Sequence, residues 1–452
     1  MYAKNRMLFE GRHAEVYEEA FQRITRVIGN FEDVVSFATI ANYQKLITLK
    51  VADLLMSEPP KIVAGEIGST EQQSVENISE RTDLHNKSYV AALDVPRCGD
   101  GLLRVYSTPD GGMIGTAQPQ FWFPVVDPDD ISIFTHHVIA WTKQLNDSQQ
   151  ELTVRIHEKG FYTEKKFLLQ GFSDIAAYRI VQKNSEQRFD TGLDDFAIIP
   201  IPNVLTSDRV HGMDDYTDID SIISELLVRI GQVSKILDKF AEPSVSGPSS
   251  SLEPDPITGK WVLKLGNFFA RDSKDDAEVK YITWDASLDA NFKQIELLIN
   301  LLHAMSEMGG NILGDTKDEG GVLSGTALRF KMVSPLAKAK RISNRFKTAL
   351  QKAVRLCSQL GGDGVVDLSD VPISVTFMDG LPNDPMEEAT IMATRTANKP
   401  TISQKRALMV YDGMSPEDAE NELQQIQDEE AAANPVMSLS TPFNGDNTPP
   451  KE

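Results

Sequence analysis

The chain has 452 residues, 41% of them hydrophobic and 25% charged, a composition that fits a globular protein with room for two to four compact regions. No run of about 18 apolar residues is present, so no membrane-spanning helix is expected, and Met1 to Glu10 lacks the apolar core of a secretory signal. The net charge of −21 argues against ordinary DNA binding, which needs Lys and Arg to displace phosphate counterions. An acidic wall would repel phosphate instead, although solubility is the commoner reason for such a charge. The two cysteines, Cys98 and Cys357, are far apart and have no Cys-x-x-Cys partner, so neither a disulfide framework nor a zinc site is expected.

In chain order, His13 to Ile28 reads as an amphipathic helix, with Val16, Tyr17, Ala20, Phe21, Ile24, Val27 and Ile28 at three- and four-residue steps. A second helix spans Glu32 to Met56 and stops at Pro59-Pro60. Ala64 to Lys87 is polar and reads as a surface excursion. From Ser88 to Val204 the texture is β. Short runs rich in branched and aromatic residues (102–107, 120–126, 131–145, 152–157, 161–169 and 176–182) are punctuated by turns such as Pro109-Asp110-Gly111-Gly112. An antiparallel sheet is expected there.

Asp218 to Phe240 carries an apolar helical stripe, Ile219, Ile222, Ile223, Leu226, Leu227, Ile230, Val233, Ile236 and Leu237. Pro243 to Pro256 is rich in Pro, Ser and Gly, and two short strands are expected at 260–265 and 277–284. A further long helix covers Ser287 to Met308, so a small β insert lies between two long helices. Gly310, Gly314, Gly320, Gly321 and Gly325 mark the next stretch as a flexible loop. Thr326 to Leu360 reads as a long helix broken near Pro335 and strongly basic. A strand at 371–377 follows. Helices are then expected at 385–396 and 402–430, the second cut by Gly413 and Pro416, before a polar tail expected to be disordered.

No catalytic constellation emerges. The phosphate-loop, dinucleotide and nucleophile-elbow motifs are absent from the sequence, and no cofactor or metal is expected. His136 and His137 are neighbours on one strand and face opposite sides, so they do not share a metal. Asp127, Asp129 and Asp130 read as a turn. Asp214, Asp215, Asp218 and Asp220 read as helix-start chemistry. The basic run Arg329, Lys331, Lys338, Lys340, Arg341 and Arg345 reads as a solvated face, an inter-subunit surface or a DNA contact.

The order of parts, with several local strings, resembles the portal proteins of long-tailed double-stranded DNA bacteriophages. Asn42-Tyr43-Gln44-Lys45-Leu46-Ile47, then Ala52-Asp53-Leu54-Leu55 up to Glu58-Pro59-Pro60, is similar to that family's N-terminal wing helix. Phe121-Trp122-Phe123-Pro124-Val125-Val126-Asp127-Pro128 resembles its wing strand and turn, and Ile199-Pro200-Ile201-Pro202-Asn203 the strand leading to the stem. Gly212-Met213-Asp214-Asp215-Tyr216 resembles the start of the stem, Ser324-Gly325-Thr326-Ala327-Leu328 the end of the tunnel loop, and Thr401-Ile402-Ser403 with 418–430 the crown helices.

The resemblance implies an α+β portal-type fold. Its parts would be a wing at 1–217 and 326–384, stem helices at 218–242 and 286–310, a small clip at 243–285, a tunnel loop at 311–325, a helical crown at 385–433 and a tail at 434–452. It also implies a ring of twelve subunits at the capsid vertex, assembled in the host cytoplasm and not an enzyme. Double-stranded DNA would pass through, and terminase, major capsid protein, scaffold and a head–tail adaptor would be partners. The tunnel loop, with Gly314, Asp315, Lys317, Asp318, Glu319, Gly320, Gly321, Val322 and Leu323, would face the channel, and Lys260, Trp261, Arg271, Lys274 and Lys280 would lie on the clip's docking surface. The competing readings are another head–tail adaptor or scaffold-associated protein, and an unfamiliar cytosolic enzyme.

Overall fold

The computed structural model describes residues 1–25, 41–66, 68–172, 177–241, 245–246, 252–254, 259, 261–263, 280–281, 288–313, 330–378, 385–397, 400–411, 414 and 416–433. Two compact units divide the chain, one of residues 1–322 and 327–380, the other of 323–326 and 381–452.

The larger unit opens with three short helices, α1 (Tyr2–Phe9), α2 (His13–Val16) and α3 (Glu18–Thr25). The single helix expected from residue 13 is interrupted at Tyr17, whose side chain turns inward to a polar chain. His13 Nε2 lies 2.9 Å from the Gln44 side-chain oxygen, the Gln44 amide donates to the Tyr17 hydroxyl at 2.8 Å, and that hydroxyl donates to Asp220 at 2.8 Å. Lys4 completes the chain by an ion pair with Asp220. Helix α4 (Tyr43–Met56) starts where the Asn42 side chain accepts from the Lys45 amide at 2.9 Å.

The stretch expected to be a surface excursion is instead ordered into the fold. Strand β1 (Lys61–Ala64) leads to α5 (Thr70–Thr82) and α6 (Leu84–Cys98), so the β region begins at Asp100 and not at Ser88. The inward face of α6, Leu84, Ser88, Ala91, Ala92 and Val95, has helical spacing but is built largely from small residues. Smallness serves close approach: a side chain at Gly101 would meet the Ala91 carbonyl at 2.7 Å.

Two antiparallel sheets follow. Strand β2 (Asp100–Thr108) sits between β3 (Gly111–Thr116) and β9 (Ile198–Pro202), and β4 (Trp122–Val126), β5 (Phe134–Asn146), β6 (Gln149–His157), β7 (Phe161–Phe172) and β8 (Ala177–Asp190) form a five-stranded meander. The sheets meet through Leu102, Trp122 and Ile198, with Phe134 and Ile139 packed against them.

Helix α7 (Asp220–Ala241) buries Ile223, Leu226, Leu227 and Val233 and packs against α8 (Asp289–Met305). Between them lie two small antiparallel pairs, β10 (Val245–Ser246) with β13 (Lys280–Tyr281) and β11 (Leu252–Pro254) with β12 (Trp261–Leu263). The insert thus has four strands among its described residues where two were expected.

After the short α9 (Gly309–Leu313), helix α10 (Val333–Gln359) runs along the unit and buries Ile342, Phe346, Leu350, Val354 and Cys357 against both β2–β3 and α4. The expected break at Pro335 falls slightly earlier, at Met332. Pro335 occupies the first turn of α10, where its missing N–H costs nothing and its ring disfavours helix only in the residues before it. Strand β14 (Ile373–Thr376) returns to pair antiparallel with β1.

The smaller unit holds α11 (Pro385–Thr396), α12 (Gln404–Tyr411) and α13 (Pro416–Ala433). Ala407 and Ala419 are buried where α12 and α13 meet, and Lys405 pairs with Glu420 at 2.6 Å.

Candidate channel and assembly surfaces

The two long helices rise from one polar root. The Asp214 carboxylate accepts from the Tyr216 and Thr217 amides at 3.0 and 2.9 Å, which fixes the turn before α7. Asp215 turns the other way. One of its oxygens accepts from the Asn203 amide at 2.8 Å, and the other lies 2.6 Å from the Lys338 ammonium. Lys338 also donates to the Ser306 carbonyl at 2.9 Å, just past the end of α8. Its side chain is 3% exposed and that of Asp215 9%, so this ion pair is out of water. Glu307 and Gly309, at φ +60° and +66°, turn the chain back at this point. One ammonium therefore joins the start of α7, the end of α8 and α10.

That geometry removes Lys338 from the basic face expected on this helix. A buried lysine needs a carboxylate and a carbonyl, and both partners come from segments distant in sequence. The rest of the face divides. Lys331, Lys340, Arg341 and Arg345 are exposed, and Arg341 reaches the Glu307 carboxylate at 2.5 Å. Lys340 borders an apolar groove of about 450 Å³ walled by Leu54, Leu336 and Phe377. Arg329 lies outside the described residues.

Lys352, a further cation of the same basic helix, is drawn to a partner the sequence does not reveal: its ammonium sits 2.6 Å from Asp195. Burial alone would raise the Asp195 carboxyl, but the Lys352 ammonium, the Phe196 amide and Lys159 outweigh it and hold the group below the usual carboxylate range. The pairing links α10 to the segment before β9.

On α8 the larger apolar residues do not all face α7. Leu297, Leu301 and Met305 stand four residues apart on one stripe and are 57%, 43% and 51% exposed. Leu237 on α7 is 50% exposed. One copy of the chain leaves this stripe bare.

The channel residues expected at Gly314, Asp315, Lys317, Asp318, Glu319, Gly320, Gly321, Val322 and Leu323 lie outside the described residues, as do Lys260, Arg271 and Lys274 of the insert. Trp261 opens β12 opposite Pro254, and Lys280 stands in β13 opposite Ser246.

Asp127 caps its own turn by accepting from the Asp129 and Asp130 amides at 2.8 and 3.3 Å. Among the described residues no group of three His, Cys, Asp or Glu could hold a metal ion. His137 is buried on the inner face of β5, where Trp122 Nε1 donates to its Nδ1 at 3.1 Å, while His136 lies on the other face. Burial, with Lys352 nearby, lowers His137 to about 4. Burial pushes the Cys98 thiol up to about 12, with Asp94 adding to the effect, so it is not a ready thiolate.

A family model described as phage portal protein, SPP1 Gp6-like, matches residues 37–436. No curated protein sequence matches. Among solved structures, the chain is similar to one from the neck of a native gene transfer agent particle computed with C12 symmetry. Identity there is 10% and the TM-score 0.45, over 82% of this chain and 90% of that one. A second, from the neck of an empty particle computed with C6 symmetry, has 12% identity and a TM-score of 0.47 over 82% and 89%. A third, from the virion of the native particle, has 13% identity and a TM-score of 0.45 over 88% and 94%.

Proposed function

Because this chain belongs to the SPP1 Gp6-like phage portal protein family, whose members are structural components of the virion, we propose that it closes into a ring of twelve copies at one capsid vertex. Viral double-stranded DNA passes through that ring during packaging and ejection. The observation that carries the ring is the bare stripe Leu297–Leu301–Met305 on α8. An apolar helix face of this length is expected to be covered, and a head-to-tail contact that closes by rotation covers it on every copy at once.

In this reading α7 and α8 are the stem, and the insert between them is the clip, where terminase and later the head–tail adaptor dock. Residues 311–325 face the channel. Lys317 is the only cation among the residues assigned to that loop, beside Asp315, Asp318 and Glu319, so contact with DNA there is steric, through Val322 and Leu323. Helices α11 to α13 form the crown, and the remaining exposed cations of α10 face a neighbouring subunit or DNA. The chain supplies no nucleotide hydrolysis. A separate terminase ATPase drives packaging.

The test is the native mass of the purified chain. Twelve or thirteen copies of a 50.1 kDa chain give a particle of about 600 kDa or slightly more, the expected result. A monomer or dimer at every concentration and salt, persisting after scaffold and capsid protein are added, would overturn the ring.

A further inference from the structure

A second polar cluster lies away from the stem, where the three-stranded sheet meets the meander. Leu102, Arg104 and Tyr106 alternate on one face of β2, and Leu102 is in the core between the sheets. On the facing sheet, Arg155 and His157 share one side of β6, with Trp141 across from Thr153 on β5 and Tyr162 and Glu164 opposite on β7. The Arg155 guanidinium lies 5.1 Å from the Trp141 ring centre and 5.5 Å from that of Tyr162, and it pairs with Glu164 at 2.7 Å. His157 stacks on Tyr162, which stacks on Phe189.

Arg104 differs from its neighbour. Its guanidinium lies over the Tyr106 ring at 5.1 Å, and it makes no side-chain hydrogen bond or ion pair with any described residue. Burial lowers its pKa, and Arg155 nearby lowers it further. His157 is 3% exposed, and its Nδ1 has no hydrogen-bond partner among the described residues. Burial, with Arg104 and Arg155 nearby, lowers this imidazole to about 3, so it is neutral and able to donate one N–H. Around the site stand Arg104, Arg155 and Lys166 against the single carboxylate of Glu164, with Lys166 3.7 Å from it. Two positive charges remain uncompensated in a chain whose net charge is −21.

We propose that the space between the two sheets, at Arg104, Arg155 and His157, is a binding site for a phosphate group. A planar guanidinium left without an acceptor presents paired N–H donors that match a tetrahedral oxyanion. A dianion cancels the excess charge, which a single carboxylate does not. The aromatic rings of Tyr106, Trp141 and Tyr162 stand beside the two guanidinium groups and hold their planes. The site stands whether or not the chain closes into a ring.

The test uses the full chain and inorganic phosphate, with sodium chloride at matched ionic strength as the control. Phosphate is expected to raise the melting temperature and to change Trp141 fluorescence, both saturably, where chloride does neither. Arg104→Gln is expected to weaken the apparent affinity by about tenfold or more. Arg104→Lys, which keeps the charge and loses the fork, is expected to fall between the two. Displacement of phosphate by a short DNA duplex identifies the DNA backbone as the source, and failure to displace it identifies the free ion. If wild type responds equally to phosphate and chloride, or Arg104→Gln binds phosphate as wild type does, the proposal is overturned. The first comparison needs no variant to fold.

Discussion

Lys338 and Asp215, 123 positions apart in sequence, place an ammonium 2.6 Å from a carboxylate where neither is open to water. The contact is an ion pair more than an aligned hydrogen bond, and the Ser306 carbonyl accepts a hydrogen bond from the lysine at 2.9 Å. Pairs of this kind add little net stability over an apolar substitute, yet breaking one partner is costly, because the other charge is left stranded.

Lys338→Met therefore strands Asp215. The expected loss is about 3–5 kcal/mol of unfolding free energy. Adding Asp215→Asn to that variant should restore much of it. Urea denaturation of both variants checks this, and a double variant no more stable than Lys338→Met would mean the ion pair is not what joins α10 to the roots of α7 and α8.

Leu301→Glu places a charge in the bare stripe of α8. A monomer already exposes this side chain, so its fold and circular dichroism are expected to stay as in wild type. Ring formation, read by native mass, is expected to disappear. Rings at the wild-type yield would show that subunits do not meet along this face.

His137 gives a pH dependence with a definite sign. Its folded value of about 4 lies below the ordinary 6.5 because burial excludes the charged form. Between these values the unfolded chain binds more protons, so the contribution is whole above pH 6.5 and is lost as the pH falls toward 4. The amount at stake is roughly 3 kcal/mol. His137→Gln keeps an acceptor for Trp122 and does not titrate, so its urea midpoint should vary less over that interval.

Asp195→Asn removes the partner of both Lys352 and Lys159. The groups are partly exposed, so the expected cost is about 1 kcal/mol. Because the folded carboxyl sits below its usual range, the wild-type contribution is present above that range and is lost as pH falls through the lowered value. The variant should lack this acid-dependent loss in thermal melts.

Lys317→Ala should leave ring assembly intact, since the proposed channel loop contacts DNA and not neighbours. Native mass and electron microscopy of the variant decide it. Loss of rings would move that segment from the channel to the subunit interface.

Helices α7 and α8 and the meander strands are legible because each carries an apolar period of one kind. Strand β8 runs eight residues past its expected end because Lys183 to Asp190 is polar, and its pairing is dictated by β7. Helices α5 and α6 were hidden for a related reason: their inward faces use Ser74, Ser88, Ala91 and Ala92, which carry little hydrophobic signal. Lys338 and Arg104 look like any surface cation in a linear sequence. Only the arrival of Asp215 and Ser306 distinguishes the first, and only the absence of such a partner distinguishes the second.

The strands of this protein also differ in when they can pair. The meander joins neighbours in sequence, so each hairpin can close as soon as its second strand leaves the ribosome. Strand β1 must wait for β14, with Lys61 opposite Thr376, and the chain between them carries both sheets, α7, α8 and the insert. Contacts of such long range form slowly, because the intervening loop must first be ordered. A nascent chain thus leaves β1 without its partner strand until nearly all of the larger unit has been made.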